Sequence, residues 1–233
     1  HAEGEVRLLG ADIGGQLGCT GAILKNPKGY ALNADRLKTT DSVFLQNGFH
    51  AEGEVRLLGA DIGGNLECTG ATLKNPEGNA LSADRLKITG SVFLHNDFHA
   101  EGEVRLPGAD IGGQLICIGA TLKNPKGYAL NADGMRVTET LFWRDLKDRL
   151  QGTVNLMYAR VGQLEDDEQS WPNEKKLFLD GFEYKAFAGA APQTAVERLH
   201  WLRLQPQGKG RFWPQPYEQL AKVFRNMGHE SDA

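Results

Sequence analysis

The chain has 233 residues, of which 40% are hydrophobic, enough for one fair-sized domain or for a core with an appendage. With 26 basic and 30 acidic side chains, the net charge of −4 disfavours a general nucleic-acid binder, which needs a basic face to displace phosphate counterions. Mean hydropathy is −0.41, and no apolar run approaches the ~20 residues of a membrane-spanning helix. We therefore expect a soluble, cytoplasmic chain.

A repeat of 49 residues dominates the chain. The phrase HAEGEVRLLGADIGG, or a close copy of it, begins at three positions: His1, His50 and His99. The repeats are residues 1–49, 50–98 and 99–147, with a degenerate fourth copy from 152. Because the chain opens at His1 inside a repeated phrase, we expect it to be a fragment, with any membrane attachment supplied by sequence after Ala233.

A finer periodicity within each repeat predicts very short strands. Apolar or small residues form pairs separated by one residue, such as Val6 and Leu8, then Ala11 and Ile13. Since side chains alternate between the faces of a strand, each pair describes one side of a tube with two inward side chains. The pairs recur every five or six residues, except across Lys25–Ala31, so that eight sides, or two four-sided coils, fit into one repeat.

The predicted fold class is mainly β: a right-handed, four-sided parallel β-helix with a small α-helical C-terminal cap. The apolar spacing of an amphipathic helix is absent from the repeat, and its many glycines would be costly in a helix. We place about six to seven coils in residues 1–165 and an irregular plus helical cap in residues 166–233. The cap is expected because the last coil would otherwise present an open core and an unpaired sheet edge.

Two groups of residues carry a resemblance to known proteins. The triplets Ala11-Asp12-Ile13 and Ala22-Ile23-Leu24 are similar to those of pentapeptide-repeat proteins, which implies square, right-handed coils. The phrase GEVRLLGADIGGxLxCxGAxL and the C-terminal segment Leu179-Asp180-Gly181-Phe182 resemble bacterial repeat proteins labelled "membrane-associated oxidoreductase". Six-residue sides and the insertion after Lys25 depart from a strict five-residue repeat.

Stacking the coils in register makes residues 26 or 23 positions apart into neighbours, which predicts the outward columns. On the second side of each coil we expect charges of alternating sign: Asp12, Lys38, Asp61, Lys87, Asp110 and Arg136. On the third side we expect Gly18, Phe44, Glu67, Phe93, Ile116 and Phe142. The rings of Phe44, Phe93 and Phe142 either are covered by C-terminal segments or form a partner or self-association surface, because contiguous exposed apolar area marks binding.

The three insertions form a second candidate surface. They cover 25–30, 74–79 and 123–128, and their Asn-Pro-x-Gly sequence is typical of turns. We expect them at one corner, two coils apart, where they either are tolerated bulges or bind a ligand, with Tyr30 and Tyr128 as candidate contact residues.

No catalytic, cofactor-binding or metal-ligating residue is predicted, and no cofactor is expected. Cys19, Cys68 and Cys117 recur at inward positions roughly 9–10 Å apart, beyond disulfide reach, and form a structural core ladder. The acidic run 165–168 lacks the pattern of a calcium loop and is interpreted as a solvated turn. The paired glycines turn corners, because no dinucleotide-binding pattern surrounds them.

Aromatic residues increase from about Trp171, where the repeat ends. Thr194 and Glu197 form a capping-box pattern that predicts a helix to about Leu204. A Pro/Gly-rich loop over 205–214 and a second helix from about Pro216 to Met227 follow.

The leading functional hypothesis is a non-enzymatic scaffold whose rigid rod displays surfaces to an unknown protein partner or to a second copy. One alternative, implied by the resemblance alone, is a DNA mimic that inhibits type II topoisomerases. Residues 1–140 carry 17 acidic and 13 basic side chains, which is weak support for such mimicry. The other alternative is the soluble arm of a larger membrane-associated protein. No direct contact with nucleic acid is expected.

Overall fold

The computed structural model describes residues 1–206 and 213–233, and its backbone winds as a right-handed parallel β-solenoid of about eight turns. Strands account for 43% of the residues and helices for 12%, so the predicted mainly β class is confirmed. The first eleven strands are β1 (Ala2–Glu3), β2 (Val6–Arg7), β3 (Asp12–Ile13), β4 (Leu17–Gly18), β5 (Ile23–Asn33), β6 (Lys38–Thr39), β7 (Val43–Phe44), β8 (His50–Arg56), β9 (Asp61–Ile62), β10 (Leu66–Glu67) and β11 (Thr72–Ser82). The others are β12 (Lys87–Ile88), β13 (Val92–Phe93), β14 (His99–Arg105), β15 (Asp110–Ile111), β16 (Leu115–Ile116), β17 (Thr121–Asn131), β18 (Arg136–Trp143), β19 (Gln151–Asn155), β20 (Arg160–Asp166), β21 (Leu177–Phe178) and β22 (Glu183–Phe187).

The strands form two parallel sheets that share the turns of the solenoid. One sheet has the order β1-β5-β8-β11-β14-β17-β19-β21, with β2 also paired to β5. The other contains the short strands of the second and third sides, together with β18, β20 and β22. Asp12 pairs with Lys38 and Lys38 with Asp61, which confirms the offsets of 26 and 23 residues and therefore two coils per repeat.

The core is a column of small and aliphatic side chains inside the coils. In strands of two residues, one side chain points inward and the other outward, as in β7, where Val43 is buried and Phe44 is half-buried. Phe49 and Phe98, at equivalent positions of the first two repeats, are fully buried. Each fully buried phenylalanine contributes roughly 1.5–3 kcal/mol relative to an exposed one, so the repeat stabilises the rod at every second coil.

The insertions are bulges within the long strands β5, β11 and β17 of the first sheet. In each, an asparagine side chain closes the bulge: Nδ2 of Asn26 donates to the carbonyl of Tyr30 over 3.0 Å. Equivalent bonds in the later repeats are 2.8 Å long. The bulges lie along one edge and are separated by β8 and β14, which is the predicted spacing of two coils.

The parallel pairing continues beyond the expected boundary at 165. Leu177 pairs with Val154 and Tyr184 pairs with Val161, so β21 and β22 form an additional turn that ends at Phe187. The repeated phrase is absent there, but the alternation of inward apolar and outward polar side chains persists in larger residues. The count is accordingly about eight turns, against the six to seven expected.

Within the described residues, two α-helices follow the solenoid: α1 (Ala195–Arg203) and α2 (Pro214–Asn226). Short 3-10 helices cover Glu168–Ser170 and Glu230–Asp232. The predicted capping box is present, because Thr194 Oγ1 accepts from the Glu197 N–H at 3.3 Å and the Glu197 carboxylate accepts from the Thr194 N–H at 3.2 Å. Part of the predicted loop over 205–214, namely residues 207–212, lies outside the described residues.

Helix α2 covers the outer edge of the last turn. The side-chain amide of Gln219 donates to the Tyr184 carbonyl at 2.6 Å, and that of Gln215 donates to the Phe182 carbonyl at 3.2 Å. The Gln215 side chain also accepts from the Gly181 N–H at 2.9 Å. These bonds satisfy main-chain groups that a sheet edge otherwise exposes, which is the physical requirement for a cap.

A buried ion pair joins α1 to the solenoid. The Arg198 guanidinium donates two hydrogen bonds to the Asp166 carboxylate, at 2.6 and 2.9 Å, and a third to the Pro192 carbonyl at 2.7 Å. Asp166 also accepts from the Trp171 indole at 2.7 Å, and the centre of the Phe187 ring lies 3.8 Å from the guanidinium carbon. Both charged partners lie inside the protein, since the Arg198 side chain is 0% and the Asp166 side chain 2% exposed.

Candidate interaction surface

Phe44, Phe93 and Phe142 occupy one outward column of the second sheet. Phe44 pairs with Glu67 and Glu67 with Phe93 in adjacent coils. Phe93 in turn pairs with Ile116, and Ile116 with Phe142. The predicted column is therefore present in the predicted order.

All three phenylalanine rings of the column are half-buried. Helix α2 packs against β22 and α1, at the end of the rod, rather than along β7 and β13. Of the two interpretations of the column, coverage by the C-terminal helices is thus the weaker one for Phe44 and Phe93.

The column is most apolar in the third repeat. Where the first two repeats have Gly18 and Glu67, the third has Ile116, so that Phe93, Ile116 and Phe142 follow one another without a charged residue. Ile118, two residues further along the chain, is also half-buried. Sequence reasoning missed Ile118, which lies in the turn that follows β16.

Charged pairs border this apolar area. Arg144 Nε lies 2.8 Å from Glu165 Oε1, and Lys147 Nζ lies 2.6 Å from Asp97 Oδ1. An apolar centre with a charged, solvated rim is the usual anatomy of a protein–protein contact surface.

Tyr30 and Tyr128 lie on the other sheet and do not join the phenylalanine column. Tyr30 is 37% exposed, and the Arg56 guanidinium lies 4.5 Å from its ring centre. Tyr128 is half-buried and makes an edge-on contact with Phe178, 6.4 Å between ring centres. The five candidate residues therefore belong to two separate surfaces, because β5 and β17 are on a different side of the coil from β7, β13 and β18.

The charged column on the second side follows the predicted order from Asp12 to Arg136 and then changes. Arg136 pairs with Arg160 in the next coil, and Arg160 pairs with Glu183. Two like charges are thus direct strand neighbours at the last turns. The signs alternate at every earlier step.

The three cysteines lie at inward positions and are free thiols. Cys68 and Cys117 are buried, whereas Cys19 is half-buried because its coil has a neighbour on one side alone. Burial raises the pKa of all three thiols, to about 12 for Cys117. A high pKa keeps the thiols protonated at neutral pH and opposes nucleophilic or metal-binding chemistry.

The acidic run 165–168 is not a solvated turn throughout, which corrects its interpretation. Asp166 is buried against Arg198, as described above. Asp167 Oδ1 accepts from the Ser170 N–H at 2.7 Å and begins a 3-10 helix. Of the four residues, Glu168 alone is exposed. The alternation of strand β20 points Asp166 inward, and this could have been recognised had the last coil been placed correctly.

No group of three or more histidine, cysteine, aspartate or glutamate side chains in residues 1–206 and 213–233 is arranged to hold a metal ion. Along the first sheet, His50 pairs with Ile23 and Thr72, and His99 pairs with Thr72 and Thr121. Their nearest partners are the carboxylates of Glu52, at 3.4 Å, and Glu101, at 3.0 Å.

These features define a right-handed parallel β-solenoid built from tandem repeats, with an apolar stripe on one side. Comparison of the chain with protein families, with curated proteins and with solved structures finds no match. Neither α1 nor α2, the α-helices of the described part, has the length and apolar character that a membrane crossing needs.

Proposed function

We propose that this protein is a non-enzymatic scaffold whose rigid rod presents the apolar column to a protein partner. The single observation that carries this proposal is the half-buried run of Phe93, Ile116 and Phe142, on consecutive coils and bordered by charged pairs. Parallel coils hold these side chains at a fixed spacing of roughly 4.8 Å, so the surface is organised before the partner binds.

The pentapeptide-repeat resemblance supports a role in display rather than in catalysis. The oxidoreductase label of similar repeat proteins receives no support from the cysteines, whose thiol pKa values are raised by burial. A duplex-DNA mimic needs continuous acidic rows, which the alternation from Asp12 to Arg136 disfavours. We propose a cytoplasmic location, which the three free cysteines favour.

Replacing Phe44, Phe93 and Phe142 by serine should weaken partner binding by more than about tenfold. Removal of three aromatic anchors from an interface costs at least about 2 kcal/mol when they form its centre, which corresponds to a loss of more than tenfold in affinity. The measurement is affinity capture from extract of the source cells with the immobilised chain as bait, combined with sedimentation analysis of the bait alone.

The matched control replaces Lys38, Lys87 and Arg136 by serine, since these outward residues lie on the same three coils. We expect the control to retain the partner recovered by the unmodified chain. Circular dichroism and thermal melting establish that both triple variants fold. Equal recovery by both variants, with an unchanged oligomeric state, would contradict the proposal.

A further inference from the structure

A groove of about 480 Å³ lies where α2 meets the outward face of the last turns. Strands β18, β20 and β22 form one wall and α2 forms the other. Its charged lining residues are Arg136, Arg160, Glu183, Lys185 and Lys222. The volume lies within the range of small-molecule sites, about 300–1,000 Å³.

The charge of this groove is opposite to that of the whole chain. Among the described residues, four cationic side chains and one carboxylate line it, whereas the protein carries a net charge of −4. Arg160 Nε lies 3.5 Å from Glu183 Oε2, so the single carboxylate is already engaged. Within the described residues, Arg136, Lys185 and Lys222 have no carboxylate within 4.0 Å, and all three are exposed or half-buried.

The groove coincides with the one break in the charge alternation of the second side. Arg136 and Arg160 are direct strand partners, and like charges in this arrangement destabilise a sheet. Lys222 adds a third positive charge from α2, a separate element of the fold. An anion between them would relieve this repulsion, because it would be shared by all the surrounding cations.

We propose that this groove binds a small phosphate-bearing molecule. Guanidinium groups match a phosphoryl group with two parallel hydrogen bonds, and lysines supply additional point charges. The strand spacing of roughly 4.8 Å places the backbones of Arg136 and Arg160 so that both side chains reach one phosphoryl group. The helix that bounds one side of the groove and the net negative charge of the chain favour a small ligand over a nucleic acid.

Pyrophosphate titrated into the full chain by isothermal calorimetry at low ionic strength is the test. We expect saturable binding of one equivalent. Arg136→Gln combined with Lys222→Gln should weaken it by at least about tenfold, since two charge-assisted contacts are lost. Lys38→Gln combined with Lys87→Gln is the matched control, because both lysines lie on the outward column of Arg136 and the change in charge is the same. This control should alter the affinity by less than about twofold.

Glu183→Gln is a variant for which we expect tighter binding, a result that misfolding cannot produce. Removing the one competing carboxylate should strengthen pyrophosphate binding. Absence of saturable heat, equal loss in the control pair, or an equal response to malonate at matched ionic strength would overturn the proposal. So would an oligoribonucleotide that binds more tightly than pyrophosphate and is displaced by it, because the site would then be a nucleic-acid contact.

Discussion

Arg198→Ala should lower the free energy of unfolding of the cap and the last turns by about 3–5 kcal/mol. The substitution removes both hydrogen bonds to Asp166 and leaves that carboxylate buried with the Trp171 indole as its remaining side-chain donor. It also opens a cavity among Phe187, Trp171 and Trp201, whose rings surround the guanidinium. The uncompensated buried charge and the cavity both lower the free energy of unfolding.

Urea unfolding followed by tryptophan fluorescence measures this effect, because Trp171 and Trp201 lie at the ion pair. Arg203→Ala, at an exposed position of the same helix, is the matched control and should change stability by less than about 0.5 kcal/mol. Arg198→Met with Asp166→Leu should recover most of the loss, since an apolar pair removes the isolated charge. A loss below about 1 kcal/mol for Arg198→Ala would show that the Arg198–Asp166 ion pair does not stabilise the cap.

Gly53→Ala and Gly102→Ala should each destabilise the solenoid by at least about 2 kcal/mol more than Gly4→Ala does. All three glycines occur in the same local sequence, HAEGEVR, with φ of +111°, +114° and +91°. At Gly53 an added methyl group would overlap the Asn26 carbonyl and lie 2.9 Å from the Gly29 carbonyl oxygen. At Gly4 no heavy atom of the described residues, apart from its chain neighbours, lies within 4 Å of the added methyl group.

The three substitutions therefore separate two costs of losing glycine. Gly4→Ala reports the cost of a left-handed backbone conformation for an L-residue, about 1–2 kcal/mol. The other two add the collision with the bulge of the preceding coil, a main-chain contact that cannot move away freely. Thermal and urea unfolding of the single variants give the comparison. Equal destabilisation by all three would mean that the bulges do not pack over these glycines.

The coils were predictable because their signal is local and repeated. Pairs such as Val6 and Leu8, or Ala11 and Ile13, indicate which side chains point inward. The period of 49 then sets the register of every outward column. The two helices α1 and α2 were also predictable from local sequence. Thr194 and Glu197 form a capping pattern at the start of α1, and Pro216 lies in the first turn of α2.

Contacts between distant segments could not be recognised in this way. Asp166 and Arg198 are 32 residues apart, and the acidic run in which Asp166 occurs gave a misleading polar pattern. The last turn was missed because Tyr184 and Phe187 take inward positions that smaller side chains occupy in the repeats. The groove beside Arg136 and Arg160 arises only when α2 folds back over the last turns.

Alkylation of the three cysteines under native conditions tests the winding of the chain most directly. Peptide mass spectrometry during iodoacetamide treatment should find Cys19 modified first, although slowly because burial raises its pKa, and Cys68 and Cys117 protected until denaturant is added. Coils that stack in register leave Cys19 half-buried and enclose the other two completely. Rapid, equal modification of all three thiols in the folded protein would place the cysteines on the outer surface and contradict the solenoid described above.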